Sequence, residues 1–289
     1  MTATRTAVVT IARGRVEHLR GQAWGLVRQS RPADLHVVVS MGDPEVTRVA
    51  RELLPRVRTP GMDVTGDDLP LSAARNAGAA AALEEGADHL VFLDVDCIPG
   101  EGTLARYDRV LRDVADRHHP VVACGEVSYL PPVAHPSEYR QPGLSDLASP
   151  HPARPRLAPD EVVEDGDLRL FWSLSFAVTA KHWRRIGGFS EDYTGYGAED
   201  TDFGQRVASA GGSLLWTGGA AAYHQHHPTS SPPTQHLHSI ISNANTFRDT
   251  WGWFPMEGWL DGFAARGLAH VDPTTDRWVV SAQRSRSSC

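Results

Sequence analysis

LSAARNAGAAAALEEGADHLVFLDVDC, residues 71–97, sets a helix directly before a strand, and that order decides the fold. Alanine dominates from Leu71 to Glu85, and Leu71, Ala74, Ala77 and Ala81 recur at the spacing of one helical face. His89 to Leu93 is then a continuous apolar run of strand length, closed by Asp94-Val95-Asp96.

Outward from this block the same alternation continues. Ala7–Ile11 reads as a strand, 16–29 as a helix, Leu35–Ser40 as a strand, Glu45–Leu53 as a short helix, and the region of Val57 as a weak strand. Tyr107–Arg117 follows as a helix and Val121–Val127 as a strand. Strands alternating with helices predict an α/β domain on a mostly parallel, Rossmann-like sheet, in which ligands gather at the carboxyl ends of strands. Residues 1–128 form that half. From 129 to 167 prolines and charges replace periodicity, which predicts a flexible loop able to close over a ligand as a lid. Residues 168–278 complete the same domain. Leu168–Thr179 is strand-like, Ala180–Ile186 helical, and Ser213–Trp216 and Ala220–His224 read as two short strands. A helix near His238–Trp251 leads into Trp251, Trp253, Phe254 and Trp259, which are either packed cover or a platform for a sugar ring. Residues 279–289 read as a disordered tail.

Composition narrows the function. A formal charge of −7 over 289 residues leaves no basic stripe for phosphates, so a general nucleic-acid surface is excluded. Cys97, Cys124 and Cys289 are too few and too scattered for a disulfide framework or a zinc site, and read as free thiols of a reducing cytoplasm. Neither a signal peptide nor a run of membrane-spanning length is visible. The expectation is a cytoplasmic protein, at most peripheral to the inner face of a membrane.

Three blocks carry chemistry besides the strand–helix frame. On an extended strand Asp94 and Asp96 would share a face, a geometry suited to Mg²⁺ or Mn²⁺ bridged by substrate phosphates. Arg75 and Asn76 lie in the first turns of the 71–85 helix, and the arginine fork suits a phosphate, unless it is simply a surface arginine. His224, His226 and His227 follow a short strand within reach of a metal, and the spacing leaves open which of them would bind it. GGFSEDYTGYGAEDTDF, residues 187–203, adds Glu199, Asp200 and Asp202 at an expected helix start beside Tyr193 and Tyr196. One acid there is an ordinary N-cap. Three in four positions, next to two rings, point to a site for a hydroxylated ligand.

Taken together and in this order, these blocks resemble a GT-A fold glycosyltransferase, family-2-like, with a galactosyltransferase-type C-terminal motif. The resemblance runs from about Ala7 to Pro228. It rests on RNAG at Arg75–Gly78, DVD at Asp94–Asp96, FWSLSFAV at Phe171–Val178 and, most specifically, the GGF…GAED segment at Gly187–Asp200. It implies that Asp94, Asp96 and Arg75 bind the donor, with Asp96 the direct ligand of Mn²⁺ or Mg²⁺ and His224 completing the shell, or else His227. It further implies that Glu199 binds acceptor hydroxyls, that Tyr196 stacks on a sugar face with Trp172 nearby, and that Asp200 is the general base. The activity implied is a hexosyltransferase-type, inverting transfer from a nucleotide-diphosphate sugar, a UDP-sugar first among them, to a glycan or small-molecule hydroxyl. Two stretches depart from the family: VVTIARGR lacks its usual turn after the first strand, and VVVSMGDPE lacks its acidic pair after the second. Thr10, Ala12, Arg13 and Asp43 are the residues left for nucleobase recognition.

Such a transfer needs a stabilised diphosphate leaving group and a base for the acceptor proton. Two alternatives share the scaffold. A sugar-phosphate nucleotidyltransferase would want a glycine-rich basic loop after the first strand, where ARGR offers one glycine. A non-catalytic nucleotide-sugar- or glycan-binding protein would have no need of Asp94, Asp96, Glu199 and Asp200 together.

Overall fold

The computed structural model describes residues 4–164 and 166–282. The first half runs β1 (Thr6–Ala12), α1 (Val16–Leu26), β2 (Leu35–Met41), α2 (Pro44–Leu53), β3 (Val57–Arg58), β4 (Gly61–Met62), α3 (Leu71–Glu84), β5 (His89–Leu93), β6 (Cys97–Pro99), α4 (Thr103–Val114) and β7 (Val121–Tyr129). The second half runs α5 (Leu144–Leu147), β8 (Ser149–Pro150), β9 (Val162–Glu164), β10 (Ser175–Thr179), α6 (Ala180–Ile186), α7 (Glu199–Ser209) and β11 (Ser213–His224). It ends with α8 (Leu237–Trp251), α9 (Glu257–Ala265) and the strands β12 (Ala269–Asp272) and β13 (Arg277–Val280).

Strand alternation sorts the core into two layers. Val8 and Val38 join Leu19, Val46, Leu104 and Leu111 on one face of the sheet, under α1, α2 and α4. Val9, Val37 and Val39 join Ala74, Ala79, Trp183 and Phe203 on the other, under α3, α6 and α7. Side chains two apart on a strand share a face, so each strand serves both layers. The sheet order is β3-β2-β1-β5-β10-β7-β11-β6. β1 is parallel to β2 and β5, β7 is parallel to β11, and β10 runs antiparallel between β5 and β7. This is the α/β architecture expected from the alternation.

Several stretches differ from their expected form. The 129–167 run contains short elements instead of forming one structureless loop: β8 pairs with β7 and β9 with β11. Arg154 anchors it further, buried with its guanidinium 4.6 Å from the Trp172 ring and 4.3 Å from that of Trp216. Ser213–His224 is one strand rather than two, with a register shift between Thr217 and Ala222 where glycines interrupt it. Val279 and Val280, placed in the expected tail, belong to β13, and residues 283–289 lie outside the described residues. Cys97 and Cys124 are buried free thiols, and Cys289 also lies outside the described residues.

Gly78 sets how closely α3 approaches the sheet. A Cβ there would fall well inside van der Waals distance of Val9 Cγ1, with Val39 Cγ2 at 3.1 Å. Alanine is the better helix former by about 1 kcal/mol, yet overpacking of this kind costs about 1–3 kcal/mol. Gly78→Ala is therefore expected to lower the urea midpoint, and a raised midpoint would show that α3 can move off β1 freely.

Candidate active site

The strand β5 ends at Leu93, so Asp94, Val95 and Asp96 form a turn, closed by the Cys97 N–H donating to Asp94 O at 2.8 Å. This corrects the expectation that the two carboxylates share a strand face. The turn sends them to different partners, although both line the same cavity.

Asp96 meets the histidines through sheet register. β6 pairs with β11 so that Cys97 lies opposite His224, and the Gln225 N–H then donates to Asp96 O at 2.7 Å, turning the chain so that His227 also faces the carboxylate. His224 Nε2 lies 3.5 Å from Asp96 Oδ1 and His227 Nε2 lies 3.3 Å from Oδ2. Both histidines converge there, and His226 is exposed outside the group. Arg15, held in the left-handed region at φ 45°, adds a contact from Nη1 to Asp96 Oδ2 at 3.2 Å. Burial acts to raise the Asp96 pKa, but His227, His224 and Arg15 outweigh it and hold the carboxyl at about 2. Burial also pushes His224 below its ordinary value, against Asp96, which favours the neutral imidazole that ligates metals. Asp96 Oδ1 is buried without a hydrogen-bond partner, and one ligand atom from each of Asp96, His224 and His227 lies within 4.8 Å of the others. A carboxylate with one orphaned oxygen and an imidazole against each of its oxygens fits a divalent cation of the Mn²⁺ kind.

The second cluster forms where α7 begins. Ala198 takes the left-handed region at φ 73°, which ends the preceding loop and points Glu199 and Asp200 from the first helical turn into the cavity. Arg75 reaches up from α3 and is buried among carboxylates. Its Nη2 lies 3.2 Å from Asp94 Oδ1, and its Nη1 lies 3.5 Å from Glu199 Oε1 and 3.9 Å from Asp200 Oδ1. Arg75 is therefore no surface arginine: it is buried, and its fork faces three carboxylates. Ser173, in the FWSLSF approach, donates its backbone N–H to Asp200 Oδ2 at 3.0 Å, whereas Asp200 Oδ1 is buried without a hydrogen-bond partner. Burial, then the neighbouring Asp200, push Glu199 up to about 7 despite Arg75. Burial also raises Asp94, to about 6, with Asp96 and Asp200 adding to it against Arg75.

The loop before α7 is clamped from two sides. Asn76 exchanges hydrogen bonds with the backbone of Phe189, donating to its carbonyl and accepting from its N–H, both at 2.9 Å. Asn243 of α8 donates to the carbonyls of Thr194 and Gly197, both at 2.9 Å. Gly195 combines φ 74° with a position where a Cβ would overlap Ser239, so the loop can lie against α8 only with glycine there. Tyr196 is thus presented to the cavity 40% exposed, stacked on His236 and Trp259 with centroids 4.8 and 5.7 Å apart. Trp172 lines the same cavity with its edge against His151.

The whole cavity measures about 920 Å³ and joins Arg13, Arg15, Arg75, Asp94, Asp96, Trp172, Tyr196, Glu199, Asp200 and His224. Thr10 is not among its lining residues. It is buried, and its hydroxyl donates to Gln22 Oε1 at 2.9 Å while Gln22 Nε2 donates to Asp94 O at 2.7 Å. Its place is beneath the DVD turn, not beside a ligand. Arg13 donates to Gly66 O at 2.9 Å, and with Asp43, Asp67 and Leu69 it lines a smaller recess of about 430 Å³. Asp43 also caps α2 and accepts from the Gly14 N–H at 2.8 Å. Sequence reasoning missed Arg15, His236 and Asn243 as site builders, because each acts through a contact made across the fold. Arg15, Ala198 and Met256 all line the cavity with positive φ and a side chain beyond hydrogen, a conformation of the kind that collects at functional sites.

The raised Glu199 has a measurable consequence. A carboxyl held above its ordinary value favours folding while protonated, and that contribution is lost as pH rises through the window from about 4.5 to about 7. In Glu199→Gln the midpoint of thermal unfolding should gain on the wild type across this window and hold a constant lead above it. Parallel curves at every pH would remove Glu199 as a strained acid.

Residues 161–228 match the family model described as the N-terminal domain of galactosyltransferase. The chain is 31% identical over 211 residues to validoxylamine A glucosyltransferase of Streptomyces hygroscopicus subsp. limoneus, covering 64% of this chain and 44% of the relative. The protein of the same name from Streptomyces hygroscopicus subsp. jinggangensis is 30% identical over 202 residues, covering 62% and 45%. The chain thus spans less than half the length of either. Among solved structures, GalNAc-T7 with UDP, GalNAc and Mn²⁺ superposes with a TM-score of 0.56 at 13% identity, over 91% of this chain and 57% of that one. S. aureus TarS 1-349 in complex with UDP-GlcNAc gives 0.55 at 14% identity, over 92% and 67%. No helix among the described residues is long and apolar enough to cross a membrane. The chain has the GT-A fold of the glycosyltransferases, with a galactosyltransferase-type segment across residues 161–228.

Proposed function

We propose that this chain transfers a hexosyl group from a nucleotide-diphosphate sugar to an acceptor hydroxyl, with inversion at the anomeric carbon. One observation carries the reading: a single cavity holds a carboxylate–imidazole cluster at Asp96 and a separate carboxylate pair at the head of α7, with Arg75 joining that pair to Asp94. UDP in one structural relative and UDP-GlcNAc in another support a uridine-nucleotide donor, and the Mn²⁺ in the first supports a divalent metal. The acceptor is a polyhydroxylated small molecule or glycan, in keeping with the named relatives.

A divalent cation bound by Asp96, His224 and His227 would neutralise charge on the diphosphate leaving group. Arg13 and Arg15 line the cavity on the same stretch after β1 and supply further positive charge for that diphosphate. The recess of Arg13, Asp43, Asp67 and Leu69 is the place for the nucleobase. On the acceptor side, Asp200 is the general base. The Ser173 N–H fixes one of its oxygens, which leaves Oδ1 to take the proton of the attacking hydroxyl. Glu199 orients that hydroxyl, and Tyr196 and Trp172 offer ring faces to the sugars. With the base and the leaving-group cluster formed by different elements, attack from the side opposite the diphosphate gives inversion.

Removal of a general base costs about 10²–10⁴-fold in rate, so Asp200→Asn should lose that much kcat in a nucleoside-diphosphate release assay while still binding UDP. Near-normal kcat in this variant would take the proton-accepting role away from Asp200. Exhaustive chelation should abolish transfer, and Mn²⁺ should raise the unfolding temperature of the wild type but not of Asp96→Ala. Full activity in the chelated enzyme would sink the metal assignment.

A further inference from the structure

His151 has no role in holding the metal, the nucleobase or the acceptor proton, yet it lines the cavity with Tyr129 and Trp172. Sheet register carries it there. β8 lies against β7 with Ser149 opposite Tyr129, and His151 follows two residues later. A tight turn then fixes the side chain: the Ala153 N–H donates to His151 Nδ1 at 3.1 Å and the Arg154 N–H to His151 O at 3.0 Å. Arg154, buried between Trp172 and Trp216, pins the far end of that turn. The imidazole is thus held 5.8 Å from the Tyr129 ring and edge-on to Trp172, at 4.8 Å and 82°.

The same contacts fix its proton. A backbone N–H can only donate, so Nδ1 accepts and the neutral imidazole carries its hydrogen on Nε2. Burial, then the charge of Arg154, hold His151 below its ordinary pKa, which keeps it neutral at physiological pH. Nε2 makes no hydrogen bond among the described residues. His151 therefore brings one uncharged donor, with no protein acceptor, to a wall shared with two aromatic rings.

Position says what this wall faces. Tyr129 tilts against His224 of the metal cluster at 5.0 Å, and Trp172 directly precedes Ser173, whose N–H holds Asp200. The rings of His224, Tyr129, His151 and Trp172 therefore run in series from the diphosphate side of the cavity to the base. A sugar in transfer is bonded to the diphosphate and must lie between it and the attacking hydroxyl. The stack of Tyr196 on Trp259 belongs to other elements, the loop before α7 and the start of α9.

Building on the glycosyl-transfer reading, we propose that the wall of Tyr129, His151 and Trp172 seats the hexosyl group of the donor, with His151 Nε2–H donating to one of its hydroxyl oxygens. His151 then reads the sugar of the nucleotide sugar and makes no contact with the nucleotide itself.

Calorimetric titration of the full chain with UDP, UDP-glucose, UDP-galactose and UDP-N-acetylglucosamine, with Mn²⁺ present and no acceptor, tests this directly. His151→Ala is expected to weaken the nucleotide sugar that the wild type binds best by about 2–10-fold, the scale of one hydrogen bond between neutral groups. Its affinity for UDP should stay at the wild-type value. His151→Gln, whose side-chain amide can donate, should recover most of the loss, whereas His151→Phe, which keeps a ring without nitrogens, should not. A UDP affinity that falls in step with that of the nucleotide sugar would show that His151 merely shapes the segment, and overturns the proposal. So does a nucleotide-sugar affinity unmoved in His151→Ala, or in His151→Phe should the alanine variant fail to fold. Failure of the transfer reading looks different: the wild type with acceptors present releases no nucleoside diphosphate from any of the three nucleotide sugars, while the comparison of UDP with them keeps its meaning. A wild type that binds none of them overturns both.

Discussion

A single guanidinium buried among three carboxylates ties this molecule together. Arg75 rises from α3, on one face of the sheet, and meets Asp94 at the end of β5 and Glu199 and Asp200 at the head of α7. A buried charge is tolerated only when it is well paired, and removing one partner leaves the rest uncompensated. The arrangement therefore fixes the distance between the end of a central strand and the start of a helix more than a hundred residues later. It also explains why Glu199 and Asp94 sit above their ordinary pKa: one arginine cannot neutralise three neighbours in a site that burial has partly dried. Excess negative charge in a cavity is costly for the empty protein. The same excess is what a cation, or a cationic ligand, would relieve.

Much of this was legible in the sequence because the signals are local. The apolar runs and helical spacing of the first half located the long strands and helices, since each buries one face or both against a layer next to it, although α4 starts four residues before the expected Tyr107 and the short β4 and β6 were not read. The acidic head of α7 was legible for the same reason, as a helix start crowded with more carboxylates than a cap requires. The remainder was hidden wherever a residue's role depends on a partner distant in the chain. Nothing in RNAG reveals that Glu199 comes down on Arg75. The choice between His224 and His227 could not be settled from spacing, because it depends on the β6–β11 register and the turn at Gln225. Asp94 and Asp96 read as a pair on one face only so long as the strand continued, and the strand stops one residue too early.

The 129–167 stretch shows the opposite failure, in which composition misleads. Proline and charge argue against periodic structure, and the segment has little. It is ordered instead by single strong contacts, two short strand pairings and one arginine between two tryptophans. None of these contacts leaves a pattern in the local sequence, since each depends on a partner strand or ring elsewhere in the fold. One consequence bears on the site: by packing Arg154 on Trp172, the segment fixes the ring that faces the cavity and brings His151 to its edge.

The cavity is assembled from parts that the chain order keeps separate, and this separates its chemistry as well. The turn after β5 and the end of β11 supply the groups suited to a metal and a diphosphate, and both are fixed by the hydrogen-bonded ladder of the central sheet. The loop before α7 and the start of α9 supply rings and carboxylates, and the loop rests on Asn76, Asn243 and Ser239, side chains that hold backbone in place of a strand partner. Sheet-borne groups can change little without breaking a ladder, whereas a wall held by side-chain clamps can be refashioned one residue at a time. On the proposed reading, the donor falls on the first and the acceptor on the second. Arg75 stands at the join, which is why its carboxylate partners come from both.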